Sequence, residues 1–482
     1  MQQAEIRDTS LLPLAAVLEA VSGSVIADND STADFFFYSV ATDSRQAAFG
    51  TLFIPLLGTE RDGHSFIPEA LERGASAVLC AASYADAHSE TCAAYHRQYP
   101  ACVFIRVENT LRALQRLAAR YIAEFPQLKR VGITGSSGKT TTKEFCAAVL
   151  SQRYSVITNE GNLNSETGLP LSVFRIRAEH EVGIFEMGMN RAGEIQELTD
   201  VLLPDYAIIT NIGTAHIGIL GSKQAIAAEK RAVFSHFDGS QTALIPDADE
   251  YTDFLRSGVN GTVVYFGPNG SLPATDIRDN GLTGSSFCYD GLEIQVPLPG
   301  CYNVYNALAA AALGNCFGLT AAEIKAGIEH VLSLFGRSEI LRGTCTVIQD
   351  CYNANPDSMQ KALELFASLE TEHKKIAVLG DMLELGEYAQ EYHQHIAAQA
   401  INSQLDAVVF IGEAMARAAE NCMRSGGTAV YVFKEGLADS SAAGALLQRL
   451  VQAGDIVLFK GSRGMALERL VPYVGINGRS DV

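Results

Sequence analysis

Residues 129–135 run as an apolar strand straight into a turn of glycine and serine, and residues 139–152 then carry the spacing of an amphipathic helix. The run reads Val131-Gly132-Ile133-Thr134-Gly135-Ser136-Ser137-Gly138-Lys139-Thr140-Thr141. A strand that turns so tightly into a helix predicts an open α/β sheet with the turn at its carboxyl edge. Backbone N–H groups of such a turn, with the helix N-terminus, cradle phosphates. Lys139 would neutralise the outer phosphate oxygens and Thr140 would ligate magnesium. The usual G-x-x-x-x-G-K-[ST] spacing puts a glycine at 133, where this chain has Ile133 between Gly132 and Gly135. The competing reading is a Gly/Ser turn that only caps a helix.

The rest of the chain repeats the same grammar. Apolar runs at 52–56, 77–79 and 103–107 alternate with helical patterns at 66–73 and 111–124, and Pro126 ends the last of them. Further strand candidates lie at 182–185, 206–210, 243–246 and 263–266. They favour a mostly parallel, doubly wound sheet. Residues 267–300 read as antiparallel hairpins, followed by helices at 304–317 and 321–333. A last series of strands at 345–349, 375–379, 407–411, 430–433 and 456–459 predicts a second, smaller Rossmann-like unit. The chain has 482 residues, and at roughly 100–200 residues per domain this suggests about three domains. The predicted boundaries are 1–126, 127–335 and 336–482.

With 36 Lys and Arg against 55 Asp and Glu, the net charge of −19 argues against a general nucleic-acid binder, whose affinity comes from clustered cations. The ten cysteines include no C-x-x-C pair and read as reduced packing residues. The N-terminus lacks a basic segment and a signal-length apolar core, and no stretch approaches the ~18 apolar residues of a membrane span. The expectation is a cytoplasmic protein with no membrane insertion.

Two more strand ends carry ionisable groups. Phe185-Glu186-Met187-Gly188 closes one strand on a carboxylate, and Thr210-Asn211-Ile212-Gly213-Thr214-Ala215-His216 closes the next. A hard cation between phosphates wants one or two such oxygens. Alone, Glu186 reads as a solvated strand end and His216 as a structural hydrogen-bonder. Their shared place at strand ends with the phosphate turn favours one metal-nucleotide site. By spacing alone, Lys230 in Ala227-Ala228-Glu229-Lys230-Arg231 is a surface lysine.

Taken together, T-G-S-S-G-K-T-T, G-N-L-N at 161–164, F-E-M-G at 185–188, N-I-G-T-A-H at 211–216, the Lys230 helix and N-V-Y-N-A-L-A-A at 303–310 resemble the central domain of the Mur ligases. In that family the shorter T-G-x-x-G-K-T loop is normal. Thr42-Asp43-Ser44-Arg45, Leu52-Phe53-Ile54-Pro55 and Asp62-Gly63-His64-Ser65-Phe66 resemble its UDP-binding domain. Asp350-Cys351-Tyr352-Asn353-Ala354-Asn355-Pro356-Asp357-Ser358-Met359, the 379–387 stretch and Lys460-Gly461-Ser462-Arg463 are similar to the members that join D-alanyl-D-alanine to UDP-N-acetylmuramoyl-tripeptide.

The resemblance implies three α/β domains: a UDP-sugar-binding domain, a P-loop ATPase domain and a C-terminal Rossmann-like domain. It also implies an ATP-dependent ligase of peptidoglycan precursor synthesis acting through an acyl phosphate; a monomer is expected, although no sequence feature marks the oligomeric state. On the residues that match, Gly135, Ser136, Ser137, Gly138, Lys139, Thr140 and Thr141 would hold the phosphates of ATP. Thr140, Glu186, His216 and a carbamylated Lys230 would hold Mg²⁺; the family often has Glu two positions after this lysine, where Ala232 stands here. Asn303 and Asn306 would lie beside adenine, with Tyr302 in place of the usual His. Arg337 would reach the γ-phosphate, and Asp350 the ribose. Asp43, Ser44 and Arg45 would touch the UDP side. Asn353, Asn355 and the Glu384 loop are expected around D-alanyl-D-alanine. The bland alternatives are an interdomain salt bridge for Arg337, a strand-end cap for Asp350 and a plain turn for 43–45.

Three readings compete. A MurE-type ligase would show Asp-Asn-Pro followed by a basic residue in the C-terminal domain, which this chain lacks. A folylpolyglutamate synthase would not carry the UDP-domain pattern. A P-loop binding or switch protein without ligase activity would leave the motifs outside the central domain unexplained.

Overall fold

The computed structural model describes residues 10–26, 36–58, 61–332, 334–422, 427–435, 437 and 440–476. The first nine residues, on which part of the N-terminal expectation rests, lie outside the described residues, as does Ser333. Two compact units hold the chain: 1–132 with 155–189 and 193–205, and 133–154 with 190–192 and 206–482.

The first unit opens with a five-stranded sheet. Its strands are β1 (Ser24–Val25), β2 (Ser39–Ala41), β3 (Thr51–Phe53), β4 (Ala77–Ala81) and β5 (Val103–Val107), in the order β1-β5-β4-β3-β2. All pairs are parallel except β1 with β5. Every residue of β3 and β4 is buried, as parallel strands covered on both faces require. Helix α1 (Thr110–Ile122) buries Ala113, Leu114, Leu117, Ala118, Tyr121 and Ile122, a stripe at three- and four-residue spacing. The Asn109 side chain starts it by accepting from Arg112 N. Strand β6 (Lys129–Thr134) begins in this unit and ends in the other. Helix α2 (Lys139–Leu150) follows it in the second unit. Strands β7 (Val156–Thr158) and β8 (Val182–Glu186) then pair in parallel within the first unit.

In the second unit, β9 (Tyr206–Ile209), β10 (Thr242–Pro246) and β11 (Thr262–Phe266) pair in parallel, with helix α3 (Lys223–Arg231) between the first two. Residues 267–300 form the expected hairpins: β12 (Ala274–Asp279), β13 (Ser285–Tyr289) and β14 (Leu292–Val296) make a three-stranded antiparallel sheet. Helix α4 (Tyr302–Cys316) comes next. The helix expected over 321–333 ends at Glu329.

The C-terminal sheet has β15 (Glu339–Arg342), β16 (Thr346–Asp350), β17 (Lys375–Gly380), β18 (Ala407–Ile411), β19 (Ala429–Phe433) and β20 (Ile456–Lys460), in the order β15-β16-β20-β17-β18-β19. Five of its strands match the apolar runs of the sequence. The antiparallel edge strand β15, Glu-Ile-Leu-Arg, has too short an apolar core to announce itself. Helix α5 (Pro356–Ser368) starts on a capping box in which Asn355 and Ser358 bond each other's backbone N–H. Val347, Val378, Val409, Val457 and Phe459 fill the core of this sheet, each fully buried side chain contributing about 1.5–3 kcal/mol.

All ten cysteines are free, six of them buried, in agreement with the packing role expected from their spacing.

Candidate nucleotide and ligation site

The turn after β6 is built so that only glycine fits at two places. Gly135 has φ +151°, and a Cβ there would lie 1.8 Å from Thr210 Oγ1. Gly138 has φ +78°, caps α2, and would set a Cβ 2.5 Å from Asn306 Oδ1. Both reflect the close backbone approach that glycine permits. The segment after β9 closes the turn from outside. Thr210 Oγ1 donates to Ser137 O at 2.6 Å, Ser136 N donates to Asn211 O at 3.0 Å, and Ser137 N to Asn211 Oδ1 at 3.1 Å. Gly213 N donates to Ser136 Oγ at 2.8 Å. Lys139 folds back over the turn, its Nζ donating to Gly135 O at 2.9 Å. Thr140 is buried and Thr141 half-buried in the first turn of α2, where no helical carbonyl reaches the leading amides. This is an anion cradle with a cation laid across it.

Behind it, Asn306 Oδ1 accepts from Thr142 Oγ1 at 3.2 Å, Asn306 Nδ2 donates to Asn303 Oδ1 at 2.9 Å, and Asn303 Nδ2 to Pro299 O at 2.8 Å. These two asparagines, one helical turn apart on α4, tie that helix to the phosphate turn.

His216 caps the short helix Ile217–Leu220 in a left-handed conformation, φ +64°. Its buried Nδ1 lies 2.8 Å from Glu384 Oε2, close enough for an ion pair although the angle falls short of a good hydrogen bond. Burial pushes the imidazole below its ordinary range. Glu384 opposes this, while Lys139 and Lys230 add to it. In return His216 holds the half-buried Glu384 carboxyl below its usual range.

Lys230 differs from the surface residue that its spacing suggested. It is 1% exposed on the inner face of α3. Burial drives its pKa well below the ordinary lysine value, and the nearby Lys139 charge adds to the effect. The signal available was spacing: Ile226 and Ala227, four and three residues before Lys230, are the other buried positions of α3.

In the C-terminal segment of the same unit, the Arg337 guanidinium lies over the Tyr352 ring, 4.2 Å from its centroid. Asp350 ends β16 in an ion pair with the buried Lys460, Nζ to Oδ2 at 2.6 Å, and its Oδ1 accepts from Ser338 N at 3.2 Å. Asn353 Oδ1 accepts from Ala354 N, and Asn355 caps α5. Both side-chain oxygens therefore shape the loop. Asp357 Oδ2 accepts from both Thr214 N, at 2.6 Å, and Thr214 Oγ1, at 2.7 Å. Sequence reading did not single out Asp357, Thr210 or Asn211, whose contacts depend on the folded strand ends.

In the first unit, Glu186 is buried at the end of β8. Its Oε1 accepts from Asn164 Nδ2 at 2.7 Å, and Asn159 bonds both its backbone N–H and its carbonyl. Asn164 is the last residue of the G-N-L-N stretch, and Asn159 stands two positions before it. Asp43 caps a turn over Ser44–Gln46 and pairs with Arg45 at 2.6 Å, which lowers its carboxyl to about 2. Ser44 Oγ donates to Glu69 at 2.7 Å. Buried His64 accepts at Nε2 from Ala81 N, 3.0 Å away, which leaves the Nδ1 proton facing Asp62 at 2.6 Å.

Comparison with known proteins agrees with this layout. Residues 37–122 match the Mur ligase family catalytic domain, 133–314 the Mur ligase middle domain, and 336–463 the Mur ligase glutamate ligase domain. A UDP-N-acetylmuramoyl-tripeptide–D-alanyl-D-alanine ligase of Treponema pallidum is 48% identical over 464 residues, covering 96% of this chain and 99% of the relative. The crystal structure of MurF from Acinetobacter baumannii superposes with a TM-score of 0.84 at 28% identity, over 95% of this chain and 98% of that one. MurF ligase from Thermotoga maritima in complex with ADP gives a TM-score of 0.75 at 26% identity, over 90% and 96%. With all three domains matched in order and this identity carried nearly end to end, the chain belongs to the MurF group of the Mur ligase family.

Proposed function

We propose that the chain is an ATP-dependent ligase that joins D-alanyl-D-alanine to UDP-N-acetylmuramoyl-tripeptide in peptidoglycan precursor synthesis. The observation that carries this reading is the glycine-bound phosphate turn with Lys139 laid across it, in a chain similar end to end to ligases of that name. The terminal carboxylate of the tripeptide attacks the γ-phosphorus of ATP and ADP leaves. The amine of D-alanyl-D-alanine then adds to the acyl carbon and loses a proton, and phosphate leaves as the amide forms. Such chemistry is mostly positioning and charge neutralisation.

In this reading Gly135 to Thr141 hold the phosphates through backbone dipoles, and Lys139 neutralises the β/γ oxygens. Arg337, stacked on Tyr352, is a preformed cation for the γ-phosphate, and Asp350 takes the ribose side. Asn303 and Asn306 lie toward adenine. Asp43, Ser44 and Arg45 take the UDP side of the donor, and Asn353 and Asn355 shape the acceptor side. Mg²⁺ in phosphate sites takes one or two protein oxygens plus phosphates, and the buried Thr140 and Glu186 offer oxygens of that kind. Thr140, Glu186, His216 and Lys230 would hold it, and bound Mg²⁺ would supply charge neutralisation on the phosphates.

Lys230 fits this role as a carbamate. Burial favours the neutral amine of Lys230 over its ammonium. Such an amine adds to CO₂, releases a proton and becomes an anion, which suits a cation site where an ammonium would repel. The same reading keeps the three domains 1–126, 127–335 and 336–482, and a monomer working in the cytoplasm on small molecules rather than nucleic acid. Among the described residues no helix is long and apolar enough to cross a membrane.

The test is phosphate release from ATP and Mg²⁺ with each substrate omitted in turn. The reading requires release that depends on both substrates and a UDP-pentapeptide product. Release that ignores the carboxylate substrate would favour a nucleotide switch instead.

A further inference from the structure

The segment Asn211–Gly221 is gripped from two sides. On one side it closes the phosphate turn, through Ser136 N to Asn211 O at 3.0 Å and Gly213 N to Ser136 Oγ at 2.8 Å. On the other it is held by loops of the C-terminal sheet. Asp357 Oδ2 takes both donors of Thr214, and Asp357 packs so tightly that a Cβ on Gly213 would lie 2.5 Å from it. Glu384 holds the segment twice: its carboxylate faces His216 Nδ1 at 2.8 Å, and its carbonyl accepts from Gly218 N at 3.2 Å. A Cβ on Gly218 would meet Gly386 N at 2.3 Å, so backbone rests on backbone. Tyr388 OH donates to Gly221 O at 2.9 Å.

The loop that carries Glu384 is itself well fixed. Met382 N donates to buried His393 Nε2 at 2.9 Å, Leu383 N to Ser462 Oγ at 2.9 Å, and Glu384 adopts φ +65°. A non-glycine residue in that conformation persists only where the surroundings enforce it. At Asp357, the N-terminus of α5 favours the carboxylate that Thr214 uses.

Resting on the ligase reading above, we infer that Asp357 and Glu384 are positioning residues that tie the acceptor-side loops to the phosphate turn. They set the 211–221 segment, and with it His216 and Ser136. This adds a second role to the Glu384 loop, which is expected around D-alanyl-D-alanine.

The test uses the full chain carrying Glu384→Gln, Asp357→Asn, Thr214→Val or Thr214→Ser. Amide hydrogen exchange is read by mass spectrometry over peptides covering 211–221, with peptides of 375–380 as an internal control. Glu384→Gln and Asp357→Asn should speed exchange over 211–221 about tenfold and leave 375–380 unchanged. They should lower kcat tenfold or more while KM for D-alanyl-D-alanine stays within threefold. Thr214→Val should act in the same direction, and Thr214→Ser, which keeps both donors, should restore wild-type behaviour. Unchanged exchange over 211–221, or a change confined to KM for D-alanyl-D-alanine, would overturn the inference. The exchange readout needs no turnover, so it decides the tie even if the ligase reaction itself proves different.

Discussion

Asn306 backs directly onto Gly138: its Oδ1 lies 2.5 Å from where the Cβ of any side chain at that position would stand. The same oxygen accepts from Thr142, one turn into α2, so the asparagine holds turn and helix together. Gly138→Ala would force a left-handed alanine, about 1–2 kcal/mol by itself, and push Asn306 aside. ADP affinity, measured by calorimetry, should fall about tenfold or more, each tenfold corresponding to about 1.4 kcal/mol. Wild-type affinity would mean that the turn does not bind the phosphates.

Lys139 lies across the phosphate turn, its Nζ donating to Gly135 O. Lys139→Ala should lower turnover by at least about 10²–10³-fold, the usual cost of losing a charge-stabilising donor in a reaction of this kind. Phosphate release with a circular-dichroism check of folding decides it. Near-wild-type ligation by the folded variant would sink the phosphate-turn assignment.

For Lys230, burial alone makes a stability prediction with a definite sign. Its folded-state pKa is depressed from 10.5, so between that lowered value and 10.5 the unfolded chain binds a proton that the native chain lacks. Stability should therefore rise with pH through that window. Lys230→Met in CO₂-free buffer should raise the denaturant midpoint near neutral pH, with the gain shrinking toward pH 10. A gain that does not depend on pH would mean that Lys230 is charged in the native state. In turnover assays, Lys230→Ala should be inactive and partly rescued by small carboxylates. The absence of rescue would leave the carbamate role without support.

Much of this fold was legible because parallel strands are short apolar runs and amphipathic helices repeat every three or four residues. The phosphate turn was legible because Gly135, Ser136, Ser137, Gly138, Lys139 and Thr140 are adjacent in the chain. Less legible were features made by distant residues. The burial of Lys230 depends on what packs over α3, and Asp357 meets Thr214 from 143 positions further along the chain. Strand β15, with charged residues at both ends, gives no periodic signal. Asn355, expected around D-alanyl-D-alanine, uses its side-chain oxygen to cap α5.

The Asp43–Arg45 pair is solvent-exposed, with the Arg45 side chain 77% accessible, so water screens it and it adds little to stability. Arg45→Ala should leave the melting temperature within about 1–2 °C of wild type, in line with the small effects of surface substitutions. If these residues meet the UDP group, KM for the UDP-tripeptide should rise severalfold with kcat little changed. Identical KM values would mean that 43–45 is a plain turn. Since Asp43 is held near 2 by Arg45, this pairing persists through the neutral range and is lost only as pH falls toward 2.

The central claim is transfer of a phosphoryl group to the tripeptide carboxylate before the amide forms. UDP-N-acetylmuramoyl-tripeptide labelled with ¹⁸O in its terminal carboxylate, turned over with ATP, Mg²⁺ and D-alanyl-D-alanine, tests it in one mass spectrum of the released phosphate. An acyl phosphate predicts one ¹⁸O atom carried from carboxylate to phosphate for each amide bond made. Phosphate free of the label, with amide bond formation continuing, would contradict the account.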